Sequence, residues 1–262
     1  RRVLFRSAAT GEVYLTDLVE AAAREGTPAA LAIGGAELEG VNDRRQFAAA
    51  AAALRDRINA AHLEAGVLIV DPSTAWIEPG IEIAPDAVIE PNVTIGGTGA
   101  IGARTTVGSG SRLSDTTVGV DCTIRASAVE GSTIGDRSDV GPFAHVRRGC
   151  TIASDVHVGN FAELKSASVA ATAKIGHHCY IGDAEIGEGA NIGAGTITAN
   201  YDGVHKFRTT IGARAFTGVG TLLVAPVALG EGAKTGAGAV VTKDVPPGTL
   251  VVGVPARPIS RD

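Results

Sequence analysis

Residues Lys174 to Gly187 read KIGHHCYIGDAEIG, which sets two histidines directly ahead of a cysteine and a tyrosine. Four such side chains in a row suit either a metal site or a catalytic base. Adjacent residues of an extended chain point in opposite directions, however, so His177 and His178 do not share one task. Two cations upstream, Arg147 and Lys165, would suit an anion such as phosphate if the fold brought them together. Which of these groups meet depends on the elements that carry them.

The 262 residues are 45% hydrophobic, yet only 4% are aromatic and 35 are glycine. That profile predicts narrow, regularly stacked structure rather than a bulky globular core. A net charge of −5 with no Lys/Arg cluster argues against nucleic acid as a partner. No apolar run reaches the length of a membrane span, and no secretory signal pattern is present, so the expected compartment is the cytoplasm. Three cysteines without a pairing motif do not make a disulfide framework. The chain has no Met, and its opening RRVLFRS fits nothing downstream. Residues 1–7 are therefore read as a non-native tail on a chain whose N-terminal part is missing.

From Ile77 an aliphatic residue returns about every six positions, through Ile95, Leu113, Ile134, Val146, Leu164, Ile175 and Ile192, and again from Ile211 to Val241. A small residue follows about four positions after each, among them Ser111, Thr117, Ala128, Thr133, Ala144, Ala162 and Ala190. One large and one small inward position per hexad predict an all-β fold, a left-handed parallel β-helix of hexapeptide repeats. Cys122, Cys150 and Cys179 fall in the small inward slot and are read as packing residues. Upstream, VNDRRQFAAAAAALRDRINAAHLEAG predicts a helical linker over 43–66, capped by Asn42 or Asp43 and closed by Gly66. GEVYLTDLVEAAAREG predicts another helix, and Ala29–Ile33 a short strand. The β-helix occupies 67–262.

Three hexads make one coil, so residues a coil apart lie about 4.8 Å from each other. Arg147 and Lys165 then stack and face outward as an anion site. His145, Glu163 and Tyr180 form a polar column beside them. His177 has Asn160 below it and Ala194 above, beside the small-residue strip NIGAGT. At TANYDGVHKFRTT, Thr198 to Thr210, the beat fails, which predicts a loop with a turn at Asp202-Gly203.

The segments VGPFAHVRRG, VGNFAELKSASV, GHHCYIGDAEIGEGANIGAGTITANYDGVHKFRTTIG and VAPVALGEGAKTGAGAVVTKDVPPG resemble one family. It is the bacterial bifunctional glucosamine-1-phosphate N-acetyltransferase / N-acetylglucosamine-1-phosphate uridyltransferase. The likeness runs from about Gly11 to Val252, and GEVYLTDLVE and EGVNDR resemble the end of the family's uridyltransferase domain, which assigns 8–42 to that remnant. The resemblance implies His177 as catalytic base, and Arg147, Lys165, Tyr180 and Asn191 as contacts of the amino-sugar phosphate or its nucleotide product. It implies Ala194, Asn200, Tyr201 and Ala237 as acetyl-CoA contacts, a homotrimer with sites between prisms, and magnesium only for the missing uridyltransferase half. Asn42 matches a ligand of that magnesium, or is simply a helix cap.

Some positions depart from the pattern. Val219 stands where a serine is frequent, Val254 where some members have arginine, Arg148 where proline is common, and His178 where an apolar residue is usual. The expected reaction is acetyl transfer from acetyl-CoA to the amine of glucosamine 1-phosphate. Other readings are a zinc carbonic anhydrase using His145, His157 and His177, another amino-sugar acyltransferase, and a non-catalytic β-helix module.

Overall fold

The computed structural model describes residues 22–26 and 40–259, and the chain divides into two compact units, 1–50 and 51–262. The expected helix over GEVYLTDLVEAAAREG lies outside the described residues except for a helical stretch at 22–24, and the strand at Ala29–Ile33 lies wholly outside them. Helix α1 runs from Arg44 to Glu64. Its cap is Asp43, whose Oδ1 accepts from the Gln46 amide at 2.8 Å, while the Asn42 amide donates to Gln46 Oε1 at 2.7 Å. Gly66, at φ +92°, ends the helix in a Schellman arrangement: Val67 N–H returns to His62 and Gly66 N–H to Leu63. Near that end Asn59 is fully buried and donates to the carbonyls of Pro72 and Ala75, each at 2.9 Å. The helix is thereby pinned onto the first coil.

From Leu68 onward short strands stack in parallel into three sheets of 12, 10 and 9 strands, the coils contributing one strand to each sheet and the last strand, Arg257–Ile259, pairing antiparallel on Leu250–Val252. The result is a left-handed β-helix of about ten coils. The first sheet includes His157–Val158, Lys174–Ile175 and Asn191–Ile192. The second includes His145–Val146, Glu163–Lys165, Tyr180–Gly182 and Ile197–Ala199. The third includes Ala184–Ile186 and Thr209–Ile211. The repeating aliphatic residues fill the interior; Ile89, Ile124, Val146, Leu164, Ile175 and Ile181 have no exposed surface. Cys122, Cys150 and Cys179 are buried there too, and burial pushes their thiols above the ordinary cysteine pKa.

The structure corrects the small-residue beat in two ways. Where the step between aliphatics is five residues, the inward small residue is Thr116, Ser127 or Ser132, not Thr117, Ala128 or Thr133. Side chains alternate along a strand, so the small slot is fixed two residues before the next aliphatic, and a shortened step removes a corner residue instead. The interruption after Ile192 is also shorter than the beat implied. Thr198 takes an aliphatic's inward place, fully buried, with its hydroxyl donating to the Gly182 carbonyl at 3.0 Å and accepting from the Gly182 amide at 2.7 Å. The excursion is 200–208, after which Thr209–Ile211 rejoins the third sheet.

Candidate functional site

His177 sits at the corner between the first and second sheets, two residues past Ile175. Its backbone is fixed from both neighbouring coils and from inside. The Gly195 amide donates to its carbonyl at 2.9 Å, the His178 amide donates to Asn160 O at 3.2 Å, and the buried Cys179 thiol donates to His177 O at 3.2 Å. The imidazole is exposed, with Nδ1 hydrogen-bonded to Asn160 Oδ1. An amide oxygen only accepts, so Nδ1 donates, and in the neutral ring Nε2 is the nitrogen left with a lone pair. That is the form a general base needs.

Directly above, the Ala194 amide has no hydrogen-bond partner among the described residues. Its neighbours are committed: Gly193 N–H to Thr217 O at 3.0 Å and Gly195 N–H to His177 O. Ala237 lies two coils higher in the same column, with Val219 between them, as the amide pairings Gly195 to His177, Gly220 to Ala194 and Gly238 to Val219 show. Asn191 projects from the first sheet, in register with Lys174 below and Phe216 above.

Around the corner, on the second sheet, His145, Glu163 and Tyr180 are in register one coil apart, as the column required. Arg147 and Lys165 stack at the far edge of that sheet, but not as a bare cation pair. Arg147 Nη1 meets Glu163 Oε1 at 2.8 Å, and Lys165 Nζ stands 3.6 Å from Asp183 Oδ2. The Asn200 amide also donates to Asp183. Tyr180 lies along the sheet over Gly182: a Cβ on Gly182 would meet the tyrosine hydroxyl at 2.6 Å and Asn200 Nδ2 at 2.9 Å.

The loop returns a third cation that the repeat did not place. Asp202 Oδ1 accepts from the amides of Val204 at 2.7 Å and His205 at 2.6 Å, and Gly203 takes φ +102°. A bridge between Tyr201 and Lys206 closes the turn. Lys206 comes back beside Lys165, and that ammonium, with Arg147 further off, holds the Lys206 pKa below the ordinary lysine value. Three cations against Glu163 and Asp183 make an edge suited to an added anion. Loop closure over distance leaves no periodic signal, which is why the stacking argument missed this contact.

The chain is matched by the family model for the GMPPB C-terminal domain over residues 72–169. It is 43% identical over 256 residues to the bifunctional protein GlmU of Staphylococcus haemolyticus, covering 97% of this chain and 56% of the relative. With GlmU of Rhodococcus jostii it is 44% identical over 246 residues, covering 93% and 49%. The chain is a homologue of the C-terminal part of GlmU. It spans about half the length of the curated relatives it matches. In structure it resembles the Francisella novicida UDP-N-acetylglucosamine acyltransferase, with a TM-score of 0.51 at 20% identity over 74% of this chain and 71% of that one, a likeness of fold.

Of the residues that the GlmU resemblance singles out, the chain holds two groups at opposite edges of the second sheet. His177, Ala194 and Ala237 occupy the corner with the first sheet. Arg147, Lys165, Asn200 and Tyr201 gather at the other edge, with Tyr180 between. Asn200 and Tyr201, both matched to acetyl-CoA contacts, are therefore apart from Ala194 and Ala237 within the chain. His145, His157 and His177 do not converge either: they contact Glu130, Asp139 and Asn160 respectively. Asn42 precedes the Asp43 cap, and among the described residues no His/Cys/Asp/Glu group of metal-binding size is present.

Proposed function

We propose that this chain transfers the acetyl group of acetyl-CoA to the 2-amino group of glucosamine 1-phosphate. The observation that carries the reading is the corner at His177. A base with a fixed tautomer stands directly below an unpartnered amide at Ala194, and a cationic edge at Arg147, Lys165 and Lys206 lies across the second sheet.

In the proposed reaction the cations hold the sugar phosphate and Tyr180 lines the path between phosphate and amine. The amine nitrogen attacks the thioester carbon as His177 Nε2 takes its proton. The carbonyl oxygen, negative in the tetrahedral intermediate, is stabilised by the Ala194 N–H. Collapse breaks the C–S bond, and the proton passes from His177 to the departing CoA sulfur. Fixing both reactants at the corner contributes several kcal/mol of effective concentration.

The same reading makes 67–262 the acetyltransferase domain, 8–42 the end of a uridyltransferase domain whose magnesium chemistry needs a longer chain, and 43–66 the linker. A homotrimer, working in the cytoplasm, would set the Asn200–Tyr201 edge of one prism against the Ala194–Ala237 corner of the next, joining the two halves of the donor contacts. The test is CoA release with glucosamine 1-phosphate by the wild type and His177→Ala. A loss of about 10²-fold or more in His177→Ala supports the assignment; turnover that survives the substitution rules it out.

A further inference from the structure

We infer that His178 sets the length of the acyl group the site accepts; the inference rests on reading the Ala194–Ala237 column as the donor strip. His178 lies in a second corner column, beside His177, whose members take left-handed backbone angles. Phe143, Phe161 and His178 have φ of +61°, +57° and +52°, and Gly195, Gly220 and Gly238 continue at +70°, +70° and +67°. The column changes character at one step. Below it the rings are stacked: Phe143 on Phe161 at 5.5 Å and 17°, Phe161 on His178 at 5.0 Å and 16°. Above it the backbone is bare. A Cβ added at Gly195 would come no closer than 3.6 Å to Gly220, and one at Gly238 would meet nothing within 4 Å.

His178 is thus the top of an exposed aromatic stack and the floor of an open shelf. Its lower face is covered by Phe161, and no ring stacks on its upper face among the described residues. A thioester running down the shelf brings its carbonyl to Ala194 and His177, and its acyl carbons then meet the ring that follows His177 in the chain. An acetyl methyl lies against that face. Each further methylene must displace an imidazole held from beneath by two stacked phenylalanines. Aromatic packing of this kind resists displacement beyond what area burial alone provides.

The experiment measures kcat/KM for acetyl-, propionyl- and butyryl-CoA in wild type, His178→Gly, His178→Ala and His178→Phe, with glucosamine 1-phosphate as acceptor. Glycine accepts the left-handed angle freely, so His178→Gly has no backbone reason to misfold, and thermal melting checks it. One methylene is worth about 10–200-fold in a site that discriminates by size. The propionyl-to-acetyl ratio should rise by at least about 10-fold in the glycine and alanine variants, and return toward wild type when phenylalanine restores a ring. An unchanged ratio in folded, active glycine and alanine variants overturns the role of His178 while leaving the acetyl transfer standing. No transfer by the wild-type chain from any of the three donors overturns the function and this assignment with it.

Discussion

Asn160 Oδ1 stands one coil below His177 and accepts from its Nδ1. The bond spans consecutive coils of the corner, so the stacking of the β-helix itself chooses the tautomer of the exposed base. Removing the acceptor in Asn160→Ala should lower kcat by about 10-fold or more, with a smaller effect on KM, because the ring would populate both tautomers and rotate freely. Asn160→Asp tests the same contact from the other side. A carboxylate favours the imidazolium, so the acid limb of the kcat/KM profile should move to higher pH. A profile that does not move in the aspartate variant would show that residue 160 does not touch the working base.

Lys206 and Lys165 are like charges held together by a loop, and the Lys206 pKa is lowered for that reason. The folded form holds fewer protons than the unfolded between the two pKa values, so stability rises with pH through that window, which lies just below the ordinary lysine value near 10.4. Lys206→Met should remove this pH dependence and leave the melting temperature at pH 7–8 unchanged or slightly higher. It should also raise KM for the sugar phosphate while leaving KM for acetyl-CoA nearly unchanged. A substitution that harms phosphate binding without harming the fold separates a ligand cation from a structural one; equal KM for the sugar phosphate in both proteins would remove Lys206 from the site.

The sequence made the prism legible because its inward aliphatics repeat, and a repeat fixes register. Register alone then placed His145, Glu163 and Tyr180 in one column and Asn160 under His177. What it could not convey was where side chains go after leaving the surface. Arg147 turns up to Glu163, Lys165 reaches Asp183, and Lys206 returns from a hairpin outside the period. The place of His178 is hidden for a related reason: its stacking on Phe161 depends on a left-handed angle at successive corners, which no hydrophobic period reports.

Cys122, Cys150 and Cys179 have thiols driven upward in pKa by burial, so the thiolate is scarce at neutral pH. A disulfide-exchange reagent at pH 7.5 should titrate none of the three in the native protein and all three in denaturant. Pre-treatment with the same reagent should leave transferase activity intact. Rapid native labelling with loss of activity would instead point to a cysteine at the reaction centre.

Gly176 and Gly193 are neighbours one coil apart on the first sheet, and the same added methyl should do different things to them. At Gly193 a Cβ would meet Thr217 O at 2.3 Å, so Gly193→Ala forces the backbone and should destabilise by about 1–3 kcal/mol. At Gly176 the nearest atom is Ile192 O at 3.5 Å, an ordinary contact, so Gly176→Ala should melt with the wild type. Gly176 nevertheless immediately precedes His177, and its open face is the floor beside the base. If the reacting groups lie there, Gly176→Ala should lower kcat/KM by about 10-fold with little change in stability. Thermal melting and steady-state kinetics on the two variants separate a glycine required by the coil from one required by the substrate. Full activity in Gly176→Ala would place the reacting groups elsewhere on the prism.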